Sequence, residues 1–412
     1  MPAEAAFFNV QPVAAALDLL FQHWQPVMRA ESLDTRRTVG RVLAAAPVSP
    51  VDLPSFRRST MDGYAVRAAD TYGASASLPA YLTVAGVVAM GHEPPGDIGA
   101  AQAMLIHTGG MLPVSADAIV MIERTQALGD GEIEVLGPVA PGENVIQIGE
   151  DVAQGEAVWP AGHRLRPQDI GALLAMGVLT AEVVRPPVVG ILSSGDELVP
   201  PDETPKLGQV RDINAYALAG LVQSLGAEPR LLGIARDDLE DFLPKAQAGF
   251  EHSDLLVITA GSSVSTRDLT CEVIERLGKP GILQHGLAVK PGKPTLLAVC
   301  DGKPVIGLPG NPVSAFLVAR QIVVPLIRRA VGEAARPAAT VRATLTANIP
   351  SASGREDTVP VRLISGEGGV EAEPLFGKST LIFTLARADG LVVVPMNSTG
   401  LRAGSTVEVR LF

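Results

Sequence analysis

The chain has 412 residues, more than one hydrophobic core usually organises, so two to four domains are expected. Apolar residues make up 47% and charged residues 19%, which excludes a disordered chain. With 44 acidic against 33 basic side chains the formal net charge is −11, a field that argues against nucleic-acid backbones and anionic membranes as partners. Cys271 and Cys300 fall outside any CxxC spacing, which speaks against a disulfide framework or a thiolate zinc site and for a reducing compartment. The first residues lack the basic start and cleavage site of a signal peptide, and no apolar run approaches the ~18 residues of a membrane span. A soluble, cytoplasmic protein is expected.

Over residues 11–46, Val13, Leu17, Leu20 and Phe21, then Leu33, Val39, Val42 and Leu43, keep an apolar pattern until Pro47, which predicts a helical lead-in. From about 55 to 153 the runs YLTVAGVV, AMLIHTGG, DAIVMIE and GEIEVL alternate with Gly and Pro and predict an all-β domain. RPQDIGALLAMGV is the next helix, with Pro167 in its first turn and Gly177 at its stop. A βαβ rhythm then begins. VVGIL at 188–192, RLLGIA at 230–235, LLVIT at 255–259 and VIGL at 305–308 are continuous apolar runs, as strands buried on both faces require. Helices are expected at NAYALAGLVQSLG with Asn214 as cap, at DLEDFLPKAQAGF, at RDLTCEVIERLG and over roughly 312–330, which gives an α/β fold with a parallel-rich sheet covered on both sides. After Pro337 the runs VRATLTANI, TVPVRLI, LVVVP and TVEVRLF predict a small C-terminal β domain.

Ligands of open α/β sheets bind beyond the carboxyl ends of the strands. The loops there read SSGDELV, RDD, AGSSVSTRD and PGNPVS. In PGNPVS, Asn311 can cap and Pro312 opens the helix, so free backbone N–H groups can attract an anion; GSS at 261–263 can form a similar nest. Both are equally readable as tight turns. Glu197, Asp237 and Asp268 lie on loops that should converge, and carboxylates sharing a crevice need a cation, for which Mg²⁺ is the obvious choice. The plainer reading of Asp237 or Asp238, and of Asp268, is helix capping. Asp62 in PSFRRSTMDGYAV and Thr108 in HTGG sit in turn-forming contexts that are hairpin or loop tips on physics alone, and His107 and His163 read as packing or surface residues. A P-loop, HExxH, a strand-linked GxGxxG and a GxSxG elbow are all missing.

Taken in order, the motifs resemble the molybdopterin molybdenumtransferases, the MoeA family that includes the E domain of gephyrin. PSFRRSTMDGYAV, HTGGMLPVSADAIVMIE, GEDV, SSGDEL, RDD, KPGKP and GLPGNPVSA follow the family's sequence order along essentially the whole chain. The resemblance implies a reaction in which adenylylated molybdopterin and molybdate yield molybdenum cofactor and AMP, with Mg²⁺ or a similar divalent ion. It implies Asp62, Thr108, Asp151, Glu197, Asp237 and Asp268 as catalytic residues, the last three of the carboxylates Glu197, Asp237 and Asp268 as metal ligands, and Gly195, Asp196, Ser262, Ser263, Lys290, Lys293, Gly310, Asn311, Pro312, Ser314, Arg362 and Ser379 as substrate-binding residues.

It also implies four parts: a helical domain from 7–54 and 154–186, an inserted β-rich domain over 55–153, a molybdopterin-binding α/β domain over 187–331 that is MogA-like, and a C-terminal β-barrel over 332–412. A homodimer with a shared active site is implied, with Asp62 and Thr108 acting across the interface, as are transient contacts with molybdopterin adenylyltransferase and apo-molybdoenzymes. Two positions depart from the family pattern: GSSVSTRD has Ser262 for a Gly and Arg267 beside Asp268, and Gly286 stands where the family often has a Lys. A non-catalytic molybdopterin-binding scaffold and the adenylyltransferase itself are the competing readings.

Overall fold

A computed structural model describes residues 9–261, 264–366 and 368–412, with side chains left undescribed over 264–267. Helix α1, Val13–His23, buries Ala16 and Leu20 and ends before Pro26. The expected continuation of that helix through Leu43 does not form. Proline disfavours the helical conformation just before it, and Gly40 adopts φ +79°. The chain instead runs extended over Ala30–Asp34 and pairs antiparallel with Thr180–Val184. Helix α2, Pro167–Ala175, has Pro167 in its first turn as expected. Its Leu173 packs with Leu43, Leu165, Met176, Ala181 and Val183, so two distant stretches of chain share one small core.

Between them lies a six-stranded sheet. Its strands are β1 (Gly63–Val66), β2 (Ala80–Val87), β3 (Gln102–Ile106), β4 (Ala118–Met121), β5 (Thr125–Gly129) and β6 (Glu132–Val135), in the order β4-β1-β3-β2-β6-β5. Alternate residues go to opposite faces: Ala65 and Met104 enter one buried cluster, Val66 and Ala103 another.

The α/β part runs β7 (Val188–Ser194), α3 (Asn214–Ser224), β8 (Glu228–Ala235), α4 (Leu239–Glu251), β9 (Leu255–Ala260), α5 (Val264–Leu277), β10 (Pro280–His285), β11 (Leu296–Cys300), β12 (Lys303–Pro309) and α6 (Pro312–Ala330). The sheet order is β8-β7-β9-β12-β11-β10. The first four strands are parallel, as the continuous apolar runs foretell, whereas β11 and β10 are antiparallel additions. Asp301 and Gly302, at φ +44° and +80°, make the tight hairpin that turns β11 into β12. Helices α1, α3 and α6 cover one face around Leu20, Leu218 and Val318, and α4 and α5 cover the other around Phe242 and Ile274. The strand order reverses between β7 and β9, which opens a crevice at their carboxyl ends.

Strands β13 (Thr340–Leu345), β14 (Glu356–Gly366), β15 (Gly369–Pro374), β16 (Gly390–Val394) and β17 (Thr406–Leu411) close on themselves in the cycle β14-β15-β13-β17-β16. This five-stranded barrel is filled by Ala343, Val361, Ala372, Val392, Val394 and Val409. A sixth short strand, Val289–Lys290 from the α/β part, adds parallel to Glu356–Asp357 and ties the two together.

The helical part carries a buried ionic knot. Asp169, 2% exposed, accepts from Arg166 Nη2 at 2.8 Å and lies 2.7 Å from His163 Nε2, while Arg336 Nη2 approaches His163 Nδ1 at 3.1 Å. Burial alone would raise the Asp169 carboxyl, but the hydrogen bonds from Arg166 and His163 win and hold it well below the usual carboxylate range. A depressed folded-state pKa stabilises the fold above the unfolded value of about 3.9 and loses that contribution as pH falls toward the folded value. Asp169→Asn is therefore expected to melt lower at pH 7 and to show a shallower loss of melting temperature between pH 5 and pH 3 than the wild type, measured by circular dichroism.

Candidate active site

Strand β7 delivers Ser193 and Ser194, both buried, to the crevice and then turns through Gly195, Asp196 and Glu197. Ser194 Oγ donates to Asp237 Oδ1 at 2.7 Å, and the Asp237 backbone N–H donates to Asp196 Oδ1 at 3.2 Å. The turn after β7 and the turn after β8 thereby bring two carboxylates together. Capping of α4 falls to Asp238, which accepts from the Asp241 N–H at 2.8 Å, so Asp237 is released from that role. Glu197 folds back over Gly195: a Cβ there would stand 2.6 Å from Glu197 Oε2. Helix α5 already begins at Val264, so Asp268, exposed four residues further on, is not its cap.

Among the described residues no three His, Cys, Asp or Glu side chains stand close enough to hold a metal together, so Glu197, Asp237 and Asp268 do not form a ready-made trio. The linked Asp196 and Asp237, with Glu197 on the same turn, do fit a divalent ion that takes one or two carboxylates and completes its shell with substrate oxygens and water. Ser262 and Ser263, the expected anion nest, lie outside the described residues.

The second half of the site forms where β12 runs into α6. Gly310 is pressed against the end of β9: a Cβ would fall 2.8 Å from the Ala260 carbonyl oxygen. Asn214, expected as a helix cap, instead sits inside α3 and donates from Nδ2 to the Gly310 carbonyl at 2.7 Å. Asn311 precedes Pro312 at the helix start as foreseen, but its side chain reaches the barrel, Nδ2 donating to Ser379 Oγ at 3.0 Å. The Val313 N–H donates to the Ser379 carbonyl at 3.0 Å.

Between α6 and the barrel lies a cavity of about 640 Å³ lined by Lys290, Lys293, Asn311, Ser314 and Ser379, all foreseen, and by Arg355, Asp357 and Lys378, which were not. Asp357 is 3% exposed and accepts from Arg355 Nε at 2.8 Å, with Lys290 Nζ 3.7 Å away. Four cations thus line one cavity beside a helix N-terminus, two of them at the buried Asp357 carboxylate, a setting that suits an oxyanion. Arg362 does not belong to it. It pairs with Glu373 across β14 and β15 at 2.9 Å and lines no wall of the cavity. Arg355 was findable only as the charged residue of the Gly354–Arg355 turn that leads into the barrel, a weak signal. Gly286, at φ +103°, occupies a backbone conformation that suits glycine.

In the β domain, Asp62 Oδ1 accepts from the Thr108 N–H at 2.8 Å and from Thr108 Oγ1 at 3.3 Å, with His107 Nδ1 at 3.5 Å. The Thr108 backbone hydrogen bond lowers the Asp62 carboxyl from its ordinary value. Gly63, the next residue, lets β1 lie close against β4, since a Cβ there would strike the Val120 carbonyl at 2.0 Å. His107, read from sequence as packing or surface, thus joins an exposed acidic group. Asp151 is exposed on a separate turn whose backbone bonds Leu53. Asp62, Thr108 and Asp151 do not line the cationic cavity of their own chain.

Family models match three stretches of the chain: the MoeA N-terminal region (domain I and II) over residues 11–177, a probable molybdopterin binding domain over 190–329, and the MoeA C-terminal region (domain IV) over 342–412. A putative molybdopterin biosynthesis protein of Methanocaldococcus jannaschii is 33% identical over 98% of this chain and 98% of its own length. A molybdopterin molybdenumtransferase of Haemophilus influenzae is 32% identical over 93% of this chain and 94% of its own. The crystal structure of a molybdopterin biosynthesis MoeA protein from Pyrococcus horikoshii superposes with a TM-score of 0.86 at 32% identity, covering 98% of this chain and 100% of that one.

The contact at Gly310 yields a stability test. Gly310→Ala forces backbone against backbone and is expected to cost about 1–3 kcal/mol, read as a lower urea midpoint at unchanged slope. Gly137→Ala, whose Cβ would meet nothing within 4 Å, is the control and should shift stability by no more than about 0.5 kcal/mol.

Proposed function

The chain belongs to the MoeA family, and we propose that it is a molybdopterin molybdenumtransferase, converting adenylylated molybdopterin and molybdate to molybdenum cofactor and AMP. A role in molybdenum cofactor biosynthesis follows from the three-part family match. The observation that carries the enzymatic reading is a set of cations suited to anionic substrates, Lys290, Lys293, Arg355 and Lys378 in the cavity at the start of α6, with the carboxylates of Asp196, Asp237 and Glu197 on the turns at the ends of β7 and β8.

The substrate phosphates and molybdate are anions, so the cationic cavity supplies donors to hold and orient them, with Ser314 and Ser379 as neutral donors beside the cations. Glu197 and Asp237 would hold Mg²⁺ or a similar ion, with substrate oxygens and water completing its shell, and the ion would supply charge neutralisation at the phosphate oxygens. Asp237 is held for that task by Ser194, and Asp196 by the Asp237 N–H, so neither needs to reorganise when substrate arrives.

Asp62 and Thr108 lie outside the cationic cavity of their own chain, which supports a homodimer in which one protomer's β domain completes the partner's site. The same reading takes 7–54 with 154–186, 55–153, 187–331 and 332–412 as the four domains, and places the protein in the cytoplasm, in passing contact with molybdopterin adenylyltransferase and apo-molybdoenzymes. Among the described residues no helix is long and apolar enough to cross a membrane.

Purified protein incubated with adenylylated molybdopterin, Mg²⁺ and molybdate should release AMP and activate an apo-molybdoenzyme. Release no faster than in a protein-free control would sink the proposal. Glu197→Gln and Asp62→Asn should each slow release by about a hundredfold with unchanged circular dichroism. Mixing the two inactive variants and allowing exchange should restore about a quarter of wild-type turnover, because half the dimers then carry one intact shared site; no recovery would place Asp62 in its own chain's site.

A further inference from the structure

A cavity of about 430 Å³ opens at the amino ends of β7, β9 and β12, the opposite end of the sheet from the carboxylate turns. It lies on the seam between the helical part and the α/β part and shares no lining residue with the cationic cavity beside the barrel. Its lining holds four cations, Arg29, Arg185, Arg230 and Lys303, against two acids, Glu251 and Asp254. With His252 neutral, a chain of net charge −11 gathers there a surplus of two positive charges.

Two of the cations are already committed. Lys303 Nζ donates to the Phe250 and Glu251 carbonyls at 2.9 and 3.2 Å, and Arg230 Nη1 to the His252 carbonyl at 2.6 Å, so both finish the carboxyl end of α4. Arg29 and Arg185 are not. The antiparallel pairing of Ala30 with Val184 sets Arg29 opposite Arg185, whose backbone N–H donates to the Arg29 carbonyl at 2.7 Å, and both side chains line the cavity. Like charges directly opposite across a strand pair destabilise it. Yet among the described residues neither arginine has an ion pair or a side-chain hydrogen bond, whereas Arg36 and Arg41, beside the same ladder, take Asp34 and Glu31. The two acids of the lining do not fill the gap: Asp254 Oδ2 accepts from the Val188 N–H at 2.8 Å, and Glu251 stands exposed. Ser253, in the same wall and 4% exposed, has an Oγ without a hydrogen-bond partner among the described residues, a second polar group left unsatisfied at this seam.

A dianion restores the balance. A phosphomonoester carries about −1.5 to −2 charge at pH 7 and presents three acceptor oxygens, which two guanidinium forks can share; a single carboxylate brings about half that charge. The space is that of a small-molecule pocket rather than of a bare ion, and Trp24, Pro26, Pro186 and Pro187 give it an apolar wall for an organic body. We propose that this cavity binds a small phosphomonoester, with Arg29 and Arg185 gripping its phosphoryl oxygens from opposite strands. The two arginines belong to the helical part and the facing wall to the α/β part, so the bound ligand clamps one against the other. The site is separate from the crevice of the transferase reading and stands without it.

The chain has two tryptophans, Trp24 in this cavity and Trp159 outside it, so in the full-length Trp159→Phe protein the emission of Trp24 reports on this cavity and not on the one beside the barrel. Fluorine NMR of the wild type labelled with 5-fluorotryptophan gives the same reading without the substitution. Inorganic phosphate and phenyl phosphate should each shift the Trp24 signal saturably, phenyl phosphate at least about threefold more tightly through the apolar wall. Succinate, whose two charges sit on separate carboxylates, should bind about tenfold more weakly than phenyl phosphate. Arg29→Gln and Arg185→Gln should each weaken both phosphates about tenfold or more, whereas Arg36→Gln, at an exposed arginine outside the cavity, should leave them unchanged; melting curves confirm that the variants fold. No saturable response to either phosphate, affinities unmoved by both cavity variants, an equal loss in Arg36→Gln, or inorganic phosphate or succinate binding as tightly as phenyl phosphate would each overturn the assignment.

Discussion

The barrel is seated on the α/β part by main-chain pairing: Val289 and Lys290 add as a strand beside Glu356 and Asp357, and the Val313 N–H at the head of α6 is bonded by the Ser379 carbonyl. Strand pairing has a side-chain period of two, so its register decides which face Lys290 presents. In the observed register Lys290 comes within 3.7 Å of Asp357, and Arg355 closes on the same carboxylate from the preceding turn. The cationic cavity is a consequence of that register. A slip of one residue would turn Lys290 away and leave Arg355 as the cation at Asp357.

The second constraint is electrostatic. The chain as a whole repels anions, with a net charge of −11, yet the proposed substrates are anionic. The fold resolves the conflict by segregation. Cations collect between α6 and the barrel, where Asp357 is the one acid among the described lining residues, while Asp196, Glu197 and Asp237 gather at the ends of β7 and β8. Field strength falls within about a Debye length of roughly 8 Å, so local arrangement outweighs the global sign.

Much of this was legible in the residues. The runs VVGIL and LLVIT are central parallel strands because a strand covered on both faces has no polar side to alternate. LLAVC at 296–300 has the same texture but stands outside the βαβ rhythm, because its Asp301–Gly302 turn makes it an antiparallel hairpin partner. Leu33 has helical spacing because spacing is blind to a strand partner about 150 residues away. At the site, the turns after β7 and β12 were readable from local sequence. Arg355 and Lys378 were not, since what places them in the cavity is the barrel's docking. Along β14, Arg362 faces Glu373 on β15, and only the sheet register reveals that.

The acidic groups share one mode of construction. Asp62 is fixed by the Thr108 N–H, Asp196 by the Asp237 N–H, and buried Asp169 by the Arg166 N–H at 2.8 Å. A backbone donor holds a carboxylate both ionised and oriented, and it does so before any ligand is present. Where the carboxylate is buried and further bonded to cations, as at Asp169, the result is an anchor. Where it stands exposed on a turn, as at Asp62, the same device leaves an oriented anion that spends nothing on its own chain's cavity. Such a group is suited to a surface that comes into position only on assembly, and a two-fold arrangement would make two of them at once.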